Sequence, residues 1–233
     1  MKKIVYVVIL GVFLFSCNNS EKTMNLSGTV KGLKKGTLYL QKIIDSSLTT
    51  LDSLEVKGKG DFLFEITVEN PEIFYLYLKK EDNNTINDRI TFFGEPGNIT
   101  INTSWNTFDA NAKIEGSKST KKLKEYRNML SEFNKKSLIY ASIVNNSKTE
   151  YTVKALDSIQ QLYNKNIVNS YRYTINFALN NTDSYAVPYI AVTEIPDANV
   201  KYLDSIHKSL IPAVANSTYG KKLKAHIEAV KAK

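Results

Sequence analysis

Cysteine is nearly absent: one residue in 233, Cys17. A single thiol can form neither an internal disulfide nor a CxxC redox pair, which excludes thiol chemistry within this chain. Histidine occurs twice, as His207 and His226, each in a lysine-containing helical segment. Neither has a second histidine or a cysteine at ligand spacing, and Glu228, two residues beyond His226, points elsewhere on a helix. No metal site is therefore expected. No serine sits in a G-x-S-x-G elbow, and Phe93-Gly94-Glu95-Pro96-Gly97 lacks the Gly-Lys-Ser/Thr end of a phosphate loop. That segment reads as a turn in which glycine supplies a positive φ. The carboxylates are scattered, and Glu65 and Glu69 fall on the outward face of a strand. No catalytic residue and no cofactor are assigned. Glycine and proline are missing between Ser117 and Asp183, which suits long helices.

Long apolar runs are also scarce, apart from the first. MKKIVYVVILGVFLFSC opens with Lys2 and Lys3 and continues apolar from Ile4 to Phe15. A dozen residues make a helix of roughly 18 Å, short of the roughly 30 Å hydrocarbon core of a bilayer. A basic start, a short apolar run and a small residue at its exit describe a secretory signal. Leu14-Phe15-Ser16-Cys17 resembles the lipobox of bacterial lipoproteins, with Phe15 larger than the usual residue there. The resemblance implies cleavage between Ser16 and Cys17 and lipid attachment at the Cys17 sulfur. Two or three acyl chains anchor firmly where one is marginal, since each buried CH₂ contributes about 0.8 kcal/mol. The expected address is the cell envelope, anchored to a bacterial membrane on the periplasmic or surface side, with the outer membrane favoured.

The formal net charge is +8, and lysine clusters in SKSTKKLK and GKKLKAHIEAVKAK. An exported protein meets no nucleic acid, so solvated helix faces are the better account of both clusters. Apolar and charged fractions of 42% and 23% suit a globular domain.

Residues 1–16 are the expected signal and residues 17–25 a polar tether. Seven strand-length runs follow: LSGTVKG, TLYLQKII, LTTLDSLEV, FLFEITVE, EIFYLYLKK, RITFFG and NITINTS. Turn formers separate them, and hairpin-length spacing predicts an antiparallel β-sandwich or open barrel over residues 26–115. Phe62, Phe64, Ile66 and Val68 share one face and should line its core. From Gly116 the period changes. Leu123, Tyr126, Leu130 and Phe133 predict a helix that Ser117 or Ser119 caps. A second helix should run from about residue 150 to 179, a short one around Pro188, and two more near 198–210 and 217–232. The fold class is α+β: a β region followed by an all-α region over 116–233.

The strand half also carries words in a recognisable order: Leu51-Asp52-Ser53, Gly60-Asp61-Phe62, Val68-Glu69-Asn70-Pro71 and Phe93-Gly94-Glu95-Pro96-Gly97-Asn98-Ile99. Their succession resembles the β-rich domain of unknown function at the N terminus of thioredoxin-like (AhpC/TSA, thiol-disulfide interchange) lipoproteins. NNTDSYAVPYIAVTEI and STYGKKLKAHIEAVKAK resemble the helical spacer of the same proteins. The sequence stops where those proteins run into their cysteine-bearing domain. The resemblance therefore implies an accessory module, with a thioredoxin-like lipoprotein as one expected partner. Tyr39, Tyr75 and Tyr77 offer a sheet face for a peptide or glycan ligand, with core packing an equal reading of each.

Asp-Ser-apolar recurs at Ser53, Ser158 and Ser205, resembling a short O-glycosylation sequon of some Gram-negative bacteria. A polar pair on the edge of an amphipathic segment is the simpler account. Intact-mass measurement of the native protein tests the sequon: absence of hexose increments disposes of it, and increments that disappear when Ser53, Ser158 and Ser205 are replaced by alanine support it.

Overall fold

The computed structural model describes residues 22–80, 88–145 and 151–232. Ser16, Cys17, the signal and most of the tether lie outside the described residues. Among the described residues, eight strands precede six helices. The strands are β1 (Thr23–Lys31), β2 (Lys35–Ile44), β3 (Ser47–Lys57), β4 (Asp61–Thr67), β5 (Glu72–Lys80), β6 (Arg89–Gly94), β7 (Gly97–Ser104) and β8 (Lys113–Glu115). The helices are α1 (Lys118–Val144), α2 (Val153–Leu179), α3 (Ala186–Glu194), α4 (Val200–Ser209), α5 (Pro212–Ala215) and α6 (Thr218–Lys231). The fold is α+β, as the change of period predicts. β1 starts at Thr23 with Met24 fully buried, so the last residues assigned to the tether belong to the sheet. Neither β8 nor α5 is foreseen, because three and four residues are too few to show a period. None of the described helices is long and apolar enough to cross a membrane.

Two four-stranded sheets, in the orders β4-β1-β7-β8 and β3-β2-β5-β6, face each other without closing into a barrel. Period-2 alternation sends Phe62 and Phe64 of β4, Leu38 and Leu40 of β2, and Phe74, Leu76 and Leu78 of β5 into the shared core. Of the face predicted for β4, Ile66 is only half-buried at the core's margin. The sandwich is not wholly antiparallel, which corrects the expectation: β1 pairs with β7 in parallel, Met24 opposite Gly97 through Lys31 opposite Ser104. The chain reverses at every turn, so odd-numbered strands share a direction. Turn signals reveal those reversals but not that two odd strands become neighbours. Every other pairing joins an odd to an even strand and is antiparallel.

The second sheet is a middle layer. Its inner face packs on the first sheet, while Ile73 and Phe93 point outward into a cluster with Leu123, Tyr126, Phe177, Ala186 and Ile190 of the helices. The Phe93 ring meets Tyr189 and Tyr219 edge-on, at centroid distances of 5.7 and 6.2 Å. A third cluster, with Val187, Ala191, Leu203, Ile206, Leu223 and Ile227, holds α3, α4 and α6 together. Tyr126 donates to or accepts from Thr174 at 2.9 Å, and burial pushes its phenol up to about 12.

At the base of the β5–β6 hairpin, Lys80 and Asp88 form an ion pair of 2.7 Å, with side chains 8% and 7% exposed. The Lys80 ammonium also lies 5.5 Å from the Trp105 ring. Removing one partner of such a pair strands a buried charge. Asp88→Asn is expected to destabilise the protein by about 3–5 kcal/mol, read as a lower denaturant midpoint. An unchanged midpoint would show that water already solvates Lys80.

Candidate functional site

The N terminus of α1 is tied to the end of β6 by polar contacts from three side chains. Ser117 caps the helix, its Oγ accepting the Thr120 N–H at 3.0 Å. Glu95, in the two-residue corner between β6 and β7, accepts from the Lys118 N–H and from the Ser119 hydroxyl at 2.7 Å. A carboxylate there also complements the positive end of the helix dipole. Thr120 faces the strand. Its Oγ1 accepts the Phe93 N–H at 2.8 Å, and its hydroxyl reaches the Phe93 carbonyl at 3.4 Å. Gly116 permits the entry: its φ is +89°, and a Cβ there would lie 2.0 Å from the Asn98 carbonyl oxygen.

Fixing α1 in this way leaves a crevice of ≈ 740 Å³ along the remainder of β6. Arg89, Ile90 and Thr91 form its floor. Lys121, Lys124 and Arg127, three residues apart on α1, form one wall. Ala110, Ala112 and Ile114, between β7 and β8 and on β8, form the other, with Asp109 and Glu115 among them. Among the described residues, no salt bridge engages Arg89, Lys121, Lys124 or Arg127. The three cations of α1 therefore face two carboxylates, while the Arg89 guanidinium turns away over β5 toward β2. Burial pushes the Tyr189 phenol up, while the charge and hydrogen bond of Arg127 pull it the other way.

Outside the crevice, Arg89 joins an aromatic ladder on the exposed part of the second sheet. Its guanidinium carbon lies 5.1 Å from the Tyr77 ring and 5.8 Å from the Tyr75 ring. Tyr77 stacks on Tyr39 with 5.8 Å between centroids. Arg89 Nη2 makes a long bond of 3.4 Å to Gln41 Oε1, and its Nε is buried with no hydrogen-bond partner. Stacking holds the guanidinium in one place and leaves hydrogen-bonding capacity unused.

Of the residues singled out from sequence, Tyr39, Tyr75 and Tyr77 do share this face, all half-buried. Tyr75 also packs against the helix-facing cluster. Ser53, Ser158 and Ser205 are exposed on β3, α2 and α4. The Ser158 and Ser205 hydroxyls donate to the carbonyls of Lys154 and Lys201 at 2.9 and 2.8 Å. His207 lies on α4 and His226 on α6, where His226 Nε2 sits 2.7 Å from the Pro196 carbonyl oxygen. No group of three or more metal-ligating side chains occurs among the described residues. Sequence reasoning missed Glu95, Thr120, Arg89 and Arg127. Lys121 and Lys124 belong to the SKSTKKLK cluster read as a solvated face, and the spacing of Lys121, Lys124 and Arg127 was the signal that they share a side of the helix.

Strands in two stacked sheets with a helical layer on one of them define this chain as a sandwich-and-helix α+β protein with an open crevice at the strand–helix junction. Residues 24–123 match the family model described as Domain of unknown function (DUF4369). The match runs from the first buried residue of β1 to Leu123 of α1, so it covers the floor of the crevice, the wall made by residues 109–115 and Lys121, while Lys124 and Arg127 lie beyond it. No curated protein and no solved structure matches the chain.

Thr120→Val keeps the shape of the side chain but strands the Phe93 N–H at a buried junction. The expected loss is about 1–3 kcal/mol, or roughly 2–4 °C of melting temperature per kcal/mol for a chain of this size. Thermal denaturation followed by circular dichroism checks it, and an unshifted melt would mean that the helix is not tied to the strand through this hydroxyl.

Proposed function

We propose that this chain is a non-catalytic lipoprotein, held by lipid on Cys17 at a bacterial envelope membrane, that binds or scaffolds another molecule. The outer membrane, on its periplasmic or surface side, is the proposed address. The observation that carries the binding role is the crevice: three cations of α1 without ion-pair partners among the described residues, placed between a strand edge and a wall of Ala110, Ala112 and Ile114 that also holds Asp109 and Glu115. Charges left unpaired on folded elements raise the local concentration of acidic ligands and speed their association. The Tyr39–Tyr77–Arg89 ladder beside it extends the candidate surface with flat apolar faces that a peptide or a glycan can cover.

A second reading is an accessory that works in trans with a thioredoxin-like thiol-disulfide oxidoreductase. The DUF4369 match over residues 24–123 favours it, since the strand words resemble the domain that precedes such enzymes. The two readings predict different companions. Affinity capture from solubilised envelope should recover a CxxC-containing protein under the second. Under the first, the purified protein should retain an acidic peptide or glycan on an array, and Lys124→Glu should reduce that retention.

Anchoring is tested separately. Cys17→Ala should move the protein from the carbonate-washed membrane fraction to the soluble fraction and remove the lipid increment from its intact mass. A Cys17→Ala protein that stays in the washed membranes would sink the lipoprotein reading and leave the binding role untouched.

A further inference from the structure

We infer that the open part of the β6 edge is a strand-addition site for an extended acidic segment of another protein, an inference that rests on the crevice being a binding site. In an antiparallel ladder, alternate residues turn both N–H and C=O away from the partner strand. Two contacts fix that phase in β6. The Leu78 N–H donates to the Asp88 carbonyl at 2.9 Å, and both backbone groups of Phe93 engage Thr120 on the far side. Arg89 and Thr91 share the parity of Phe93, so their N–H and C=O groups also turn away from β5. Thr120 occupies the edge at Phe93, while Arg89 and Thr91 line the crevice. Proteins ordinarily cover, bulge or charge such an edge. Here half of it is covered by the first turn of α1 and the other half opens onto ≈ 740 Å³ of space.

The layers on either side define what a visiting strand must look like. A strand added to β6 lies about 4.8 Å from it and sends successive side chains to opposite faces. The outer face of this sheet carries α1, so one parity of the visitor's side chains meets Lys121, Lys124 and Arg127. The inner face looks toward the other sheet, whose end is β8, so the opposite parity meets Ala112 and Ile114. The complementary sequence alternates acidic with small apolar residues. Main-chain hydrogen bonds would supply affinity and the alternating side chains specificity, as in other strand-addition complexes. The open edges of β3 and β4 lie at the opposite ends of the two sheets, away from this wall of cations.

The test uses the purified full-length protein and a fluorescent octapeptide that alternates glutamate with valine. Saturable binding is expected, and a peptide with lysine in place of glutamate should not bind. Thr91→Pro deletes only a donor that faces away from β5, a change edge strands tolerate, so the melting temperature should hold. Binding to Thr91→Pro should weaken about tenfold, while Thr91→Val, which keeps the N–H, should stay within about twofold of the parent. Absence of saturable binding at millimolar peptide overturns the inference. So does binding that Thr91→Pro leaves intact; if Lys124→Glu abolishes that same binding, the crevice remains a binding site that works without strand addition. A concentration-dependent dimer of the parent that Thr91→Pro abolishes would also overturn it, making a second copy of this chain the occupant.

Discussion

The arrangement depends on how α1 is fastened to the end of β6. An edge strand that leaves one sheet and turns into the other has exposed backbone groups at its corner, and a helix starting nearby has unpaired N–H groups of its own. In this protein each element satisfies the other. Glu95 and Ser117 take up N–H groups of the helix, and Thr120 takes both backbone groups of Phe93. Phe93 then places its ring beneath Tyr189 and Tyr219. One residue thus joins strand to helix through its backbone and sheet to helices through its side chain. The direction of α1, and the crevice beside it, follow from that junction.

Making the second sheet a middle layer has consequences for composition. β5 buries Phe74, Leu76 and Leu78 on one side and Ile73 on the other, so the strand reads as almost continuously apolar. Where the helices stop, the outer face changes to Tyr39, Tyr77, Arg89 and Gln41, side chains with flat apolar bodies and polar tips. Such residues suit a half-covered sheet, since they bury area without leaving an amide or guanidinium deep in the core. Asp88 and Lys80 show the other solution, a charge pair closed upon itself where the hairpin leaves the sheet.

The crevice differs from both. Its cations Lys121, Lys124 and Arg127 are carried by a long, capped helix and form no salt bridge among the described residues. Like charges on one helix face repel modestly, at about 0.2–0.5 kcal/mol for each exposed pair, which is small against the packing that fixes α1. Rigid placement of this kind lowers the ordering entropy a ligand must overcome.

Much of the architecture was legible because it rests on local periods. Alternation in FLFEITVE and EIFYLYLKK marks strands, the missing glycine and proline between Ser117 and Asp183 mark long helices, and Ser117 reads as a cap because a short hydroxyl side chain satisfies a helix N–H. Segments of three or four residues, β8 and α5, carry no period to read. The parallel pairing of β1 with β7 and the meeting of Glu95 with Ser119 were invisible for a different reason: they depend on which distant elements become neighbours, which no local period records. Lys121, Lys124 and Arg127 could be placed on one side of a helix from their spacing. That this side faces an open strand edge rather than water was decided only by the tertiary structure, because the cluster around Phe93 sets the rotation of α1.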